Sequence, residues 1–158
     1  YIYVCLQPVH HKNLYTCISS VKHAVKYFDS LESIVNISSL AGKRGTANNS
    51  IYVASKFAVE GLTRALSQEL GTSSIRVNSI CPVLIQTPGL SAQIEQPDAP
   101  AHRIGMEKFM SDFAKVQTAL KHLPAADDVS SLVTFLLSRE AKSITGQSIN
   151  VDCGVLPG

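Results

Sequence analysis

Ser33-Ile34-Val35-Asn36-Ile37-Ser38 and, beyond a long helical stretch, Ile75-Arg76-Val77-Asn78-Ser79-Ile80 are the two runs that decide the fold. Both are short, rich in β-branched residues and bounded by turn formers, which predicts buried strands. Cys81-Pro82 ends the second. Between them lies a loop with Gly42, Gly45 and Asn48-Asn49, then a helix from about Ile51 to Leu70 that stops at Gly71. Ser50 is placed to cap it, and Ala54, Phe57, Ala58, Leu62, Ala65, Leu66 and Leu70 recur at helical spacing. Upstream, Leu14, Cys17, Ile18, Val21, Ala24, Val25 and Phe28 form the apolar stripe of a helix over 13–28, broken by Asp29-Ser30. Downstream, an irregular stretch from about residue 88 leads to a helix around Glu107 to Leu120. Asp127-Asp128 opens another helix to about Leu137, and Gln147 to Val151 is a third strand. Strands alternating with helices predict an α/β fold, a parallel sheet flanked by helices. Three strands are few for a doubly wound sheet, so the sheet is expected to be incomplete, its remaining strands lying upstream.

The 158 residues suffice for one core. Hydrophobic residues make up 45% and charged residues 16%, which excludes a disordered chain. A net charge of +2, with no basic stretch longer than Lys43-Arg44, argues against a nucleic-acid surface. No apolar run approaches the roughly 18 residues of a membrane span, so no membrane partner is expected. Tyr1 to Leu6 lacks the basic flank and cleavage site of a signal peptide. The chain opens at Tyr1 rather than Met, and the start of the gene product is expected to be absent. Cys5, Cys17, Cys81 and Cys153 are scattered without a C-x-x-C pair, which predicts reduced thiols and a cytoplasmic location. His10 and His11 are adjacent and so point apart; no metal site is expected.

Tyr52 and Lys56 stand four residues apart on one helix face. An ammonium close to a phenol favours the phenolate, which makes Tyr52 a candidate acid/base. Ser38-Ser39 ends the strand before it, at the edge where parallel sheets place reactive groups.

The runs Ile34-Val35-Asn36-Ile37-Ser38-Ser39-Leu40-Ala41-Gly42 and Tyr52-Val53-Ala54-Ser55-Lys56 resemble the active-site stretch of short-chain dehydrogenases/reductases. Asn13-Leu14 before them, Ile75 to Pro82 after them, and Ile144-Thr145-Gly146-Gln147-Ser148-Ile149-Asn150-Val151-Asp152 extend the resemblance over nearly the whole chain in family order. The resemblance implies a Rossmann-like doubly wound parallel sheet without its N-terminal nucleotide-binding strands. Residues 1–158 would be the C-terminal portion of one domain, with a variable substrate loop at about 88–123. It implies an oxidoreductase that interconverts an alcohol and a ketone or aldehyde with NAD or NADP.

The implied tetrad is Asn13, Ser39, Tyr52 and Lys56. Tyr52 would exchange the proton, Ser39 would steady the substrate oxygen, Lys56 would bind the nicotinamide ribose with Tyr52 also in the cofactor site, and Asn13 would hold a relay water. Pro82, Val83, Ile85 and Thr87 stand where the family meets the nicotinamide end. Lys43, Arg44 and Thr46 are placed either to line the far side of that pocket or as a surface loop. The helices beginning at Asn13 and Tyr52 resemble those that build the family's homodimers and homotetramers.

Three departures qualify the resemblance. No glycine-rich phosphate turn or Asn-Asn-Ala-Gly segment is present, so nothing here grips a pyrophosphate or chooses between NAD and NADP. Val83 replaces a usual Gly and disfavours positive φ, so a differently shaped turn is expected. Cys153 replaces a Gly after Asp152, where only a packing consequence is expected. A second function class therefore stands beside the enzyme: a truncated, inactive family member that serves as a scaffold or persists as a relic.

Overall fold

The structure, a computed structural model, describes residues 2–5, 13–27, 30–87, 90 and 102–157. His10-His11, Phe28, Asp29 and the loop positions 88, 89 and 91–101, with Glu95 and Asp98, lie outside the described residues.

Among the described residues four parallel strands form one sheet in the order β1 (Ile2–Cys5), β2 (Ser33–Ile37), β3 (Arg76–Pro82) and β4 (Ser148–Val151). Among the described residues the α-helices are α1 (Asn13–Tyr27), α2 (Ser50–Glu69), α3 (Met106–Gln117) and α4 (Ala126–Leu137). The three expected strands are present, and β1 is a fourth, formed by the run read only as a failed signal peptide. It pairs in register with β2, Ile2 opposite Ser33 and Cys5 opposite Asn36. Four residues with no alternation give little sequence signal until a partner strand satisfies their backbone. β3 also runs two residues further than expected, because Cys81 and Pro82 remain opposite Asn150 and Val151.

Alternation along the strands separates two cores. Ile34 and Val77 face α1 and α2, joining Val21, Ala24, Leu31 and Ile75, with Leu66 and Leu70 against them. Val35 and Ile80 face the other side, with Leu136, Ala141 and the α4 residues Val129, Leu132 and Val133. Each fully buried aliphatic side chain contributes about 1.5–3 kcal/mol by transfer. Helices thus cover both faces, the doubly wound arrangement. α1 and α2 make the steps β1 to β2 and β2 to β3 on one face. The step from β3 to β4 continues in the same direction but carries α4 on the opposite face. Its hand is therefore opposite to that of the first two crossovers, a departure from the usual uniform handedness.

Helix ends follow local chemistry. Arg76 donates to the carbonyls of Leu136 at 2.7 Å and Ser138 at 3.1 Å, closing the C-terminus of α4. Burial holds that guanidinium below its ordinary value, against the opposing charge of Glu32. At the other end of α4, the Asp128 carboxylate accepts from the Ala125 N–H at 2.8 Å. Ser50 is not the cap of α2: Asn49 takes that place without a side-chain bond, and Ser50 is the first helical residue.

The buried face of α2 differs from its sequence stripe. Lys56, Val59, Glu60, Thr63 and Ser67 are buried, while Ala54, Phe57 and Ala65 are exposed. The helix docks through polar partners. Thr63 accepts from Asn36 Nδ2 at 2.9 Å, and Cys17 Sγ on α1 points at Asn36 Oδ1 at 3.7 Å. Apolar spacing locates a helix, but tertiary hydrogen bonds choose which face turns inward.

Candidate active site

Parallel strands deliver their ends to one edge of the sheet, and there β2 and β3 run side by side. Ile37 stands opposite Ile80, and the Ser38 N–H continues the ladder to the Ile80 carbonyl at 2.8 Å. Ser39 follows in extended backbone, φ −166° and ψ 161°, and its Oγ accepts from the Ala41 N–H at 3.2 Å. That bond caps a 3-10 turn over Leu40–Gly42. Accepting through a lone pair fixes the hydroxyl's direction and leaves its proton to donate elsewhere.

The turn presses onto α2. A Cβ added at Gly42 would stand 2.9 Å from the Lys56 carbonyl oxygen, 2.9 Å from Ser38 Oγ and 3.0 Å from Glu60 Cγ. Only a residue without a side chain permits this approach. It brings Ser39, at the head of the turn, to the same end of the molecule as the first two turns of α2.

Tyr52 is half-buried in the first turn of α2. Lys56, one turn on, is 4% exposed. Its Nζ donates to the carbonyl of Ile37, the last residue of β2, at 3.1 Å and lies 5.7 Å from the centre of the Tyr52 ring. A buried ammonium needs such a fixed acceptor. A pocket of about 210 Å³ opens beside Tyr52, lined by Asn48, Asn49, Ser50 and Ile51.

The remaining sequence candidates fall as follows. Asn13 is the first residue of α1; its side chain lies outside what is described. Pro82 is buried at the end of β3, and Val83 keeps to the ladder, donating to the Val151 carbonyl at 3.2 Å. Val83 is not among the left-handed residues, so the strand is prolonged where a glycine turn is usual. Ile85 is half-buried and Thr87 exposed, its Oγ1 accepting from the Leu90 N–H at 3.2 Å. Lys43 turns back to the sheet, Nζ donating to the Ser148 carbonyl at 2.6 Å, which commits its ammonium to β4. Arg44 is half-buried and Thr46 exposed.

Cys153 does more than pack. It takes φ 52°, a left-handed conformation, and its carbonyl accepts from the N–H groups of Ala119 and Leu120. The segment after α3 is thereby tied to the end of β4.

Sequence reasoning passed over Glu60, Ser79 and Ser148, a buried group behind the 3-10 turn. Their signal was present in outline: Glu60 follows Lys56 by four residues and shares its face.

A family model described as Enoyl-(Acyl carrier protein) reductase matches residues 6–156. Diacetyl reductase [(S)-acetoin forming] of Staphylococcus aureus is 36% identical over 142 residues, covering 87% of this chain and 53% of the relative. A short-chain dehydrogenase/reductase, aba4, of Botryotinia fuckeliana is 37% identical over 142 residues, covering 90% and 52%. Among solved structures, carveol dehydrogenase of Mycobacterium avium in complex with NAD superposes with a TM-score of 0.85 at 28% identity. It covers 98% of this chain and 64% of that one. The chain spans about half the length of the curated relatives it matches.

Proposed function

The chain belongs to the short-chain dehydrogenase/reductase family, and from that premise we propose that it forms the C-terminal, catalytic portion of one Rossmann-type domain that transfers hydride between NAD or NADP and an alcohol–carbonyl pair. One observation carries the reading furthest. The buried Lys56 ammonium is pinned to the end of β2 and held 5.7 Å from the Tyr52 ring, at the sheet edge where the Ser39 hydroxyl that caps the turn also lies.

The roles follow from those positions. Tyr52 gives its phenolic proton to the substrate oxygen during reduction and takes it back during oxidation. Ser39 Oγ donates to the same oxygen as charge develops there. Lys56 sets a positive charge beside the phenol and is placed to hold ribose hydroxyls. Asn13, at the head of α1, holds a water for the proton path. Pro82, Val83, Ile85 and Thr87 receive the nicotinamide end. An ammonium, two hydroxyls and extended backbone suit a ribose and a carboxamide, whereas no glycine-rich turn in this sequence suits a pyrophosphate. When bound, the cofactor supplies the hydride, and every other contribution named here is the protein's.

The relative's name, diacetyl reductase, favours a small ketone or its alcohol as substrate. Residues from about 88 to 123 form the variable substrate loop, which carries α3. α1 and α2 present Tyr15 at 75% exposure and Ile51 at 72%, with Val25, Tyr27 and Phe57 also exposed. Such a face favours a homodimer or homotetramer. Among the described residues no helix is long and apolar enough to cross a membrane. The scattered cysteines favour the cytoplasm.

The test is to assay the complete gene product with NADH and NADPH against a carbonyl panel beginning with diacetyl, following absorbance at 340 nm. Carbonyl-dependent loss of the reduced nucleotide is expected. A folded protein that neither binds nor oxidises either nucleotide would discard the enzyme in favour of the inactive scaffold.

A further inference from the structure

Glu60 lies one helical turn beyond Lys56 and is 2% exposed. Among the described residues it makes no ion pair. Three short polar side chains hold its carboxylate instead. Ser79 Oγ donates to Oε2 at 3.1 Å, Ser148 Oγ donates to the same oxygen, and Cys81 Sγ faces Oε1 at 3.4 Å. Ser79 and Cys81 are alternate residues of β3, on the face turned to α2, and Ser148 is the register partner of Ser79 on β4. The stem of Glu60 supports the 3-10 turn at Gly42. Lys43, the next residue, reaches the carbonyl of the same Ser148. Four elements therefore meet at one carboxylate: α2, the 3-10 turn, β3 and β4.

A buried carboxylate is a poor source of net stability, since taking it out of water costs free energy that its hydrogen bonds must offset. It does fix geometry, because hydrogen bonds have direction where apolar contacts slide. What it fixes here is specific. The helix it holds carries Tyr52 and Lys56, the turn it supports begins at Ser39, and the strand it grips leads into Pro82.

We propose that Glu60 is a positioning residue for hydride transfer, locking α2 to β3 and β4 so that Tyr52 and Lys56 stand in register with Ser39. This rests on the oxidoreductase reading above. It follows that weakening the lock lowers turnover far more than it weakens nucleotide binding, since displacements of about 1 Å near reacting groups cost up to a hundredfold in rate.

The experiment compares the complete wild-type enzyme with Glu60→Gln, Glu60→Ala and Ser148→Ala. Turnover is measured with diacetyl, or with whichever carbonyl the wild type reduces best. Nucleotide affinity is read from the fluorescence of bound NADH or NADPH, and amide exchange is followed over residues 38–43. Glu60→Ala is expected to lower kcat by about fiftyfold with nucleotide Kd changed less than about threefold. Gln keeps the length and one acceptor oxygen, and should restore kcat to within about fivefold of wild type. Ser148→Ala removes only the β4 partner and keeps the proposal testable if Glu60→Ala does not fold. It should lower kcat by about tenfold and speed exchange in the turn. Unchanged kcat and unchanged exchange in a folded Glu60→Ala or Ser148→Ala protein would overturn the assignment. A wild type that turns over no carbonyl and binds no nucleotide removes the oxidoreductase reading, and this proposal with it.

Discussion

Lys56 and Glu60 occupy successive turns on one face of α2, both buried, yet their charges are spent on different strands. The ammonium goes to the carbonyl of Ile37 on β2, and the carboxylate goes to hydroxyls on β3 and β4. At that spacing an exposed Lys and Glu would ordinarily pair with each other. Sending each to the sheet instead spreads the helix's anchorage over three strands and leaves the ammonium beside Tyr52.

Replacing Tyr52 by Phe removes the phenolic proton beside Lys56 and changes little of the packing. In the complete protein, turnover is expected to fall by about 10² to 10⁴, the range for lost acid/base catalysis. Nucleotide affinity, read by fluorescence titration, should stay within a few-fold of wild type. Wild-type turnover in this variant would show that the proton comes from elsewhere.

Gly42→Ala drives a methyl group against the Lys56 carbonyl and Glu60 Cγ, and backbone on one side cannot give way cheaply. A loss of about 1–3 kcal/mol in chemical denaturation is expected. Gly45→Ala, which meets nothing within 4 Å, is the control and should be neutral or slightly stabilising. Equal effects at the two positions would contradict the close approach of turn and helix.

Burial, reinforced by the nearby Glu60 charge, pushes the Cys81 thiol up from 9.0 to about 12. Unfolded, the thiol ionises above its ordinary value; folded, it stays protonated. The unfolded state then binds fewer protons, so this contribution is fully present below pH 9 and is lost as pH rises towards 12. Each pH unit in that window weakens folding by up to about 1.4 kcal/mol. Cys81→Ala should flatten the alkaline limb of a denaturation-versus-pH curve; a parallel limb would contradict the assignment.

Cys153 holds a left-handed backbone at φ 52°, which costs a non-glycine residue about 1–2 kcal/mol. Glycine relieves that strain but loses more entropy on folding, so Cys153→Gly should stabilise by about 0.5–1 kcal/mol. The melting temperature is expected to rise by roughly 2–4 °C. A fall would mean that the contact of Sγ with His122 Nδ1 at 3.6 Å outweighs the strain.

The outward residues Tyr15, Val25, Ile51 and Phe57 should be covered in solution. Light scattering on a sizing column is expected to give a dimer or tetramer for the complete protein. Paired charges at Ile51 and Phe57 (Ile51→Glu with Phe57→Lys) should shift it towards monomer. A wild-type monomer would remove the oligomer from the proposal.

The sequence by itself determined the kinds of element and their order. β-branched runs at 33–38 and 75–80, with helical periodicity at 13–28 and 51–70, required alternating strands and helices, hence a parallel sheet. The spacing of Tyr52 and Lys56 placed them on one face, because that follows from helix geometry alone. Other features only the tertiary structure decided. β1 depends on a partner strand for its hydrogen bonds. The opposite hand of the last crossover depends on which face α4 covers. α2 turns Lys56, Glu60 and Thr63 inward and Phe57 outward, because polar groups on β2, β3 and β4 offer hydrogen bonds that no pattern along one helix encodes. The left-handed Cys153 and the carbonyl-bound Lys43 have the same origin: their partners are distant in sequence, and meet them only once the sheet has formed.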